Sequence, residues 1–324
     1  MQRVLAVAFV LLLLEGQAQA QPTAFASEDE IENQIERAPP NISPDLLDRT
    51  GRSRFHLTGR ATFDDGVSAF SGSSVWATEA QAALRITRGL ALTFNLPFGV
   101  TAPSPGVNNF FFGNFRVGVA GGSSFVVLPS NEGRGAGTLG FGGAFDVYAP
   151  TAPEVGDLEC PGQGFCAPVS QVRGIRSYEP FLYFEKLMSF RARGQVDFAL
   201  DPFSAQLELG LTPGFTTRSE VDFFMFFSWA LRARAFPIYE VEPFLEIGSN
   251  LQIAGPNVQI AGGSIDASTP VHLTFGGRFH FGTLDPALFA TLDLKNGIFI
   301  FGVDLAGAVR EVANTSSAPD PLDF

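Results

Sequence analysis

The sequence is poor in lysine. Lys186 and Lys295 are its only two in 324 residues, and arginine carries almost all of the positive charge. Net charge is −12. No basic stripe exists to neutralise phosphates, which excludes nucleic acid as a partner class. Cysteine is as scarce: Cys160 and Cys166 lie together in LECPGQGFCAP. A structural metal site needs more ligands close by. In an exported chain, two cysteines at this spacing are expected to form a disulfide that ties off a loop. Histidine is limited to His56, His272 and His280, with no HExxH or Cys/His cluster. No metal and no cofactor is therefore expected, and the histidines read as hydrogen-bonding groups. No GxSxG elbow occurs, so no catalytic residue is assigned and the chain does not read as an enzyme. Glycine runs such as GFGG lack the strand–loop–helix setting of a phosphate cradle and read as close packing or kinks in a curved sheet.

Long apolar runs are missing too, except at the start. MQRVLAVAFVLLLLEGQAQA combines Arg3, an apolar run over 4–14, and Ala18-Gln19-Ala20. This is the pattern of a cleaved secretory signal peptide over 1–20. No later stretch reaches the roughly 18 apolar residues of a membrane helix, which excludes a helical membrane protein. Residues 21–53 are acidic and proline-bearing, as in SEDEIENQIERAPPNISPDLLDR. This composition buries little apolar surface, which favours a solvated periplasmic segment over a plug or partner-binding element.

What is present from Arg54 onward is a period of two. Strands are predicted over 54–64, 75–87, 89–99, 112–127, 138–148, 189–200, 203–213, 221–236, 240–253, 270–282, 287–294 and 297–309, each bounded by turn chemistry. Residues 179–188, EPFLYFEKLM, fit either a helical turn in a loop or an extension of the strand that follows. The gaps sort by length. Gaps 65–74, 100–111, 149–188, 214–220 and 254–269 are long, and Arg88, Asp201-Pro202, 237–239 and 283–286 are short. Long loops at one end and tight turns at the other is the pattern of an outer-membrane barrel. The gap 128–137 and the Asn296-Gly297 turn depart from it.

The faces agree. One carries Phe55, Leu57, Leu90, Leu92, Phe94, Leu96, Leu207, Leu209, Phe227 and Trp229. The other carries His56, Arg60, Glu79, Gln81, Asp146, Asp197 and His272, together with the nine residues named below. Both signs of charge, with arginine in place of lysine, suit a confined lumen, because arginine makes fixed planar pairs with carboxylates. In RARGQVDFALDPFSAQLELG the Asp201-Pro202 turn places Gln195 opposite Glu208 and Asp197 opposite Gln206. A turn near Pro237-Ile238 would place Arg234 opposite Glu242 and Arg232 near Phe244. Phe224, Phe226 and Phe244 face inward by alternation, enough for a greasy constriction that apolar solutes could use.

The runs GLALTFNLPFG, GNFRVGV, GFGGAFDVYAPT and YEVEPFLEIG together resemble the outer-membrane barrels labelled MetA-pathway phenol-degradation or "transporter" proteins. The likeness extends over most of the chain from Arg54. The family often shows Pro-Thr-Gly after a central strand, whereas Pro150-Thr151 here precedes Ala152. The resemblance implies an exported antiparallel barrel acting as a passive channel and names no solute.

The expected architecture is an all-β, transmembrane, antiparallel up-and-down β-barrel of about twelve strands over 54–309, followed by a tail over 310–324. Its partners would be outer-membrane lipid, a small-molecule solute and the barrel-assembly machinery during biogenesis. The expected pore-lining residues are Arg116, Arg191, Arg193, Glu208, Arg232, Arg234, Glu242, Glu246 and Arg278. A porin-like channel for small solutes, apolar or aromatic ones among them, is the first functional expectation. A closed barrel serving as a surface or envelope-scaffold protein is the alternative. An outer-membrane lipid hydrolase is the third, and it would need a histidine near the lipid-facing wall.

Overall fold

The strands predicted by alternation form a closed wall in the structure, a computed structural model. It describes residues 54–62, 74–87, 90–104, 107–128, 137–153, 179–200, 203–217, 222–235, 241–256, 259–260, 265–266, 270–279, 281 and 284–308. The predicted leader and acidic segment, the Cys160–Cys166 pair, His280 and the C-terminal tail lie outside the described residues. The strands are β1 (Arg54–Thr62), β2 (Ser74–Thr87), β3 (Leu90–Ser104), β4 (Val107–Phe112) and β5 (Arg116–Leu128). They continue with β6 (Gly137–Tyr148), β7 (Leu187–Leu200), β8 (Phe203–Thr216), β9 (Phe223–Ala235) and β10 (Val241–Ala254). The last are β11 (Gln259–Ile260), β12 (Ile265–Asp266), β13 (Val271–Phe279), β14 (Leu284–Asp293) and β15 (Ile298–Ala308).

Twelve of them close on themselves, each antiparallel to its neighbours: β1-β2-β3-β5-β6-β7-β8-β9-β10-β13-β14-β15 and back to β1. The seam closes β15 against β1, with Arg54 opposite Ala308 and Leu57 opposite Leu305. Closure removes the sheet edges that would otherwise pair with other chains. β11 and β12 pair only with each other.

Two connections differ from expectation. Residues 100–111 are not a loop. β3 runs on to Ser104, and β4 pairs with its upper part while β5 pairs with its lower part. Gly113, Asn114 and Phe115 interrupt the strand between β4 and β5. The register of β9 on β10 is the second difference. Arg234 faces Phe244, and Arg232 faces Glu246, two residues from the predicted pairing. The short Asp201-Pro202 connection does set the predicted register, with Gln195 opposite Glu208 and Asp197 opposite Gln206. The turn between β14 and β15 is held by Asp293, whose Oδ1 accepts from the backbone N–H groups of Lys295 and Asn296, both at 3.0 Å. Gly297 there takes φ +68°, a left-handed conformation that glycine adopts freely.

The outer face is apolar around the wall. Leu57, Leu84, Phe94, Val119, Phe145, Val196, Leu209, Trp229, Leu245, Phe275, Leu288 and Phe301 all point outward, and most are about half exposed. Water would make so large a continuous apolar surface costly, and a bilayer would not. The inner face carries the charges, so the usual arrangement of an apolar interior and a polar surface is inverted.

Candidate functional site: a charged belt under an aromatic cap

The lumen has two zones. At the level of the strand midpoints lies a belt of ion pairs. Arg193 donates to Asp146 through Nε at 3.1 Å and Nη2 at 2.8 Å, and its Nη1 is 3.6 Å from Glu208. Arg191 donates to Glu179 at 2.5 Å and lies 3.6 Å from Glu208. Arg116 stands 4.0 Å from both Asp146 and Glu179. Across the barrel Arg60 pairs with Glu79 at 3.2 Å, and Asn95 donates to the same carboxylate. Arg278 and His56 share Asp304, at 2.7 and 3.3 Å, with Thr58 donating at 2.9 Å. Arg232 and His272 share Glu246. Arg234 lies 3.6 Å from Glu242.

All nine predicted lining residues face this interior. Eight are buried, and Arg234 is the most open, its side chain 15% exposed. The logic of the pairing follows from solvation. An ion taken out of water without a partner costs several kcal/mol, and pairing with good hydrogen bonding offsets that cost. Inward positions two apart on one strand and opposite on the next bring arginine and carboxylate together. Gly118 makes room for this. It faces Asp146, and a Cβ on it would meet the carbonyl oxygen of Phe145 at 2.6 Å.

Above the belt, at the long-loop end, the lumen turns apolar. Val75, Ala77, Phe111, Tyr148, Leu187, Phe224, Phe226, Ile298 and Ile300 face inward and are buried together. Into their midst folds the segment 179–186, which supplies Phe181, Leu182, Tyr183 and Phe184. It contains a single 3-10 turn, Pro180–Leu182, so the helical-turn alternative holds for EPFLYFEKLM. Phe184 packs on Phe224 with centroids 4.8 Å apart, and Phe181 packs on Tyr148 at 5.0 Å. Phe224 and Phe226 are therefore covered by the cap. Phe244 does not join them. The two-residue register difference sets it lower in the barrel, in the charged zone, where Arg232 lies over its ring at 5.8 Å. The three-phenylalanine constriction expected from the sequence is thus replaced by two of those residues plus the cap.

Asn114 fastens the cap. Its Nδ2 donates to the carbonyls of Phe181 and Phe184, both at 2.7 Å. Its Oδ1 accepts from the Ala152 N–H at 3.0 Å, and its own N–H donates to the Leu182 carbonyl at 2.6 Å. The Tyr183 hydroxyl reaches the carbonyls of Thr78 and Phe98, at 3.3 and 3.2 Å. Sequence reasoning did not single out Asn114, Glu179 or the cap. Its signal was an apolar tetrad, Phe181-Leu182-Tyr183-Phe184, inside a loop otherwise rich in glycine, proline and charge.

His56 and His272 face the lumen, away from the lipid-facing wall on which a lipid hydrolase would act. Among the described residues, no group of three or more His, Cys, Asp or Glu is arranged to hold a metal ion.

No protein-family profile matches the sequence. No curated protein matches it. Solved structures do show similarity. The NanC porin aligns over 79% of this chain and 100% of its own, at 6% identity and a TM-score of 0.45. The KdgM porin in complex with disordered oligogalacturonate aligns over 78% and 99%, at 7% identity and TM-score 0.38. The translocator domain of the autotransporter NalP from Neisseria meningitidis aligns over 81% and 90%, at 10% identity and TM-score 0.41.

Proposed function

We propose that the protein is an outer-membrane channel for passive passage of small solutes, closed in this conformation by the cap over 179–186. The observation that carries the reading is that Arg116 and Arg191 each have a wall carboxylate besides the cap's Glu179. Arg191 and Arg116 are wall arginines that face Glu179. Each also has a carboxylate from the wall, Glu208 at 3.6 Å for Arg191 and Asp146 at 4.0 Å for Arg116. Withdrawing the cap therefore strands neither arginine. A fixed plug would gain from making its wall partners depend on it, since a buried charge left alone costs more than the pair contributes. The cap is also a loop segment held by side-chain hydrogen bonds and ring contacts, and it adds no strand to the barrel. Behind it lies a lumen lined by charged and hydrogen-bonding side chains, the polar kind of interior that barrel channels have.

The burial of nearly every inward side chain favours one other reading, a permanently filled barrel that acts as an envelope scaffold. Planar-bilayer conductance of the refolded chain separates the two. Discrete current steps that become more frequent when Asn114 is changed to Ala support the channel. A membrane-inserted barrel that stays silent in both forms refutes it.

A further inference from the structure

We infer that the cap's Glu179 occupies a binding site for a solute carboxylate, so that an organic carboxylate opens the barrel by taking its place; this rests on the channel reading. The site consists of the Arg191 and Arg116 guanidinium groups. Arg191 donates to Glu179 at 2.5 Å through Nη1 and to the Ser228 hydroxyl at 3.3 Å through Nη2. Arg116 approaches the same Glu179 oxygen at 4.0 Å. An arginine fork aimed at one carboxylate oxygen is a recognition element for carboxylates in general, whether the carboxylate belongs to the chain or to a solute.

A second observation points to a ligand larger than the Glu179 carboxylate. Tyr148 is fully buried, and its hydroxyl makes no hydrogen bond among the described residues. It lies directly opposite Arg116 in the sheet. Ser189 faces Tyr148 across the sheet, is equally buried, and its hydroxyl is likewise unpartnered. The Nε atoms of Arg191 and Arg116 make no hydrogen bond either, the latter standing 4.0 Å from Asp146. Buried polar groups are rarely left unmet, because each gives up hydration for nothing. Here several come from adjoining inward positions of the wall: Tyr148 lies between Arg116 and Ser189 in the sheet register, and Ser189 is two residues from Arg191 on the same face. A solute with a carboxylate and neighbouring hydroxyls would meet Arg191, Arg116, Tyr148 and Ser189 together.

The charge count gives the direction of coupling. Arg116, Arg191 and Arg193 are matched by Asp146, Glu208 and Glu179. Two of those carboxylates belong to the wall and one to the cap. With Glu179 withdrawn, each of the three arginines keeps a wall carboxylate, but the three share two, Asp146 and Glu208, so the cluster carries a net positive charge. A solute anion restores neutrality and stabilises the cap-withdrawn state over the closed one, which is the differential binding that any opening ligand requires.

The test is single-channel recording of the full refolded chain in planar bilayers, with gluconate as the probe and glucose as its uncharged counterpart. Gluconate should raise open probability saturably, on the order of fivefold or more, the low end of ordinary coupling between sites. Glucose should not. Glu179→Gln should open without gluconate, favour anions over cations, and gain nothing from added gluconate. Arg191→Gln should lose the gluconate response while its barrel still shows the heat-dependent gel mobility of a folded protein. Equal effects of gluconate and glucose, or a conducting Glu179→Gln with wild-type selectivity, overturn the site and leave the channel reading standing. Silence of the wild type, Glu179→Gln and Asn114→Ala alike overturns the channel reading and this site with it.

Discussion

Replacing Asn114 by Ala should convert a mostly closed barrel into a mostly open one without unfolding it. The side chain makes three hydrogen bonds to the segments it joins: two to the Phe181 and Phe184 carbonyls and one from the Ala152 N–H. A neutral hydrogen bond contributes about 1 kcal/mol net, so the three together hold the closed cap by about 3 kcal/mol. That is on the order of a 100-fold change in the closed-to-open ratio. The direction follows from where the freed groups go. Phe181 and Ala152 are fully buried while the cap is seated. Without Asn114 their polar atoms are unmet when closed and hydrated when the cap lifts. The wall is spared, because Asn114 lies in the interruption between β4 and β5 and the ladder of β3 with β5 starts beyond it. Asn114→Asp should open the barrel too, since an acceptor oxygen would then face two carbonyl oxygens. The assay is open probability in planar bilayers, with hydrogen exchange over 179–186 as a second readout. Unchanged open probability together with unchanged exchange protection of the cap would refute the account of how the cap is held.

Three other perturbations test the rest of the architecture. Leu209→Arg, near the middle of β8 on the outer wall, should cost about 2–4 kcal/mol of folding free energy in lipid, whereas Phe203→Arg at the strand's end should cost about 0–1; urea titration of vesicle-refolded protein measures both, and equal costs would contradict the placement of the bilayer. Arg232→Ala should destabilise by about 3–5 kcal/mol by removing the guanidinium from the buried Glu246 carboxylate, which keeps His272 at 3.1 Å, while Arg232→Met with Glu246→Leu should recover most of the loss; a double-mutant cycle reports the coupling, and additive losses would mean the pair is not coupled. Gly118→Ala should lower the yield of folded barrel, because the new methyl meets the Phe145 carbonyl at 2.6 Å and presses on the Asp146 carboxylate; refolding as efficient as wild type would show that β5 and β6 can separate there.

Much of the wall was legible in the sequence because the side-chain period of a strand is two. Alternation assigns every residue to one face, and a tight turn assigns the register. Asp201-Pro202 leaves one way to fold β7 onto β8, and Gln195 meets Glu208 as read. The connection 236–240 leaves more than one. A slip of two residues there keeps Arg232, Arg234, Glu242 and Glu246 on the inner face, so alternation alone cannot see it. The chemistry tolerates the slip as well. Arg234 still reaches Glu242, now diagonally at 3.6 Å, while Arg232 gains Glu246 directly opposite. The face of a residue is thus a stronger inference from sequence than its partner.

The cap was not read from the sequence, although its position leaves a trace there. A strand with lipid outside and a polar lumen inside must alternate. Where alternation gives way to continuous apolar residues, both faces are apolar, and something apolar must lie on the inner side. Three such runs occur at one end of the barrel, Phe110-Phe111-Phe112, Phe223-Phe224-Met225-Phe226-Phe227 and Ile298-Phe299-Ile300-Phe301, whereas Phe125-Val126-Val127-Leu128 at the other end is exposed along its length. In the up-and-down order all three fall at the long-loop end of the barrel, and Phe111, Phe224, Phe226, Ile298 and Ile300 are the residues that meet there. A lumen open to water at that end would expose them, at about 25 cal/mol per Å² of apolar surface. The sequence therefore calls for an apolar insert at one mouth. Among the long-loop segments, 179–186 carries the apolar tetrad that fits. What alternation cannot supply is the fastening. Asn114 does its work through backbone carbonyls of Phe181 and Phe184, about seventy residues away in the chain, and a backbone carbonyl leaves no mark on residue identity.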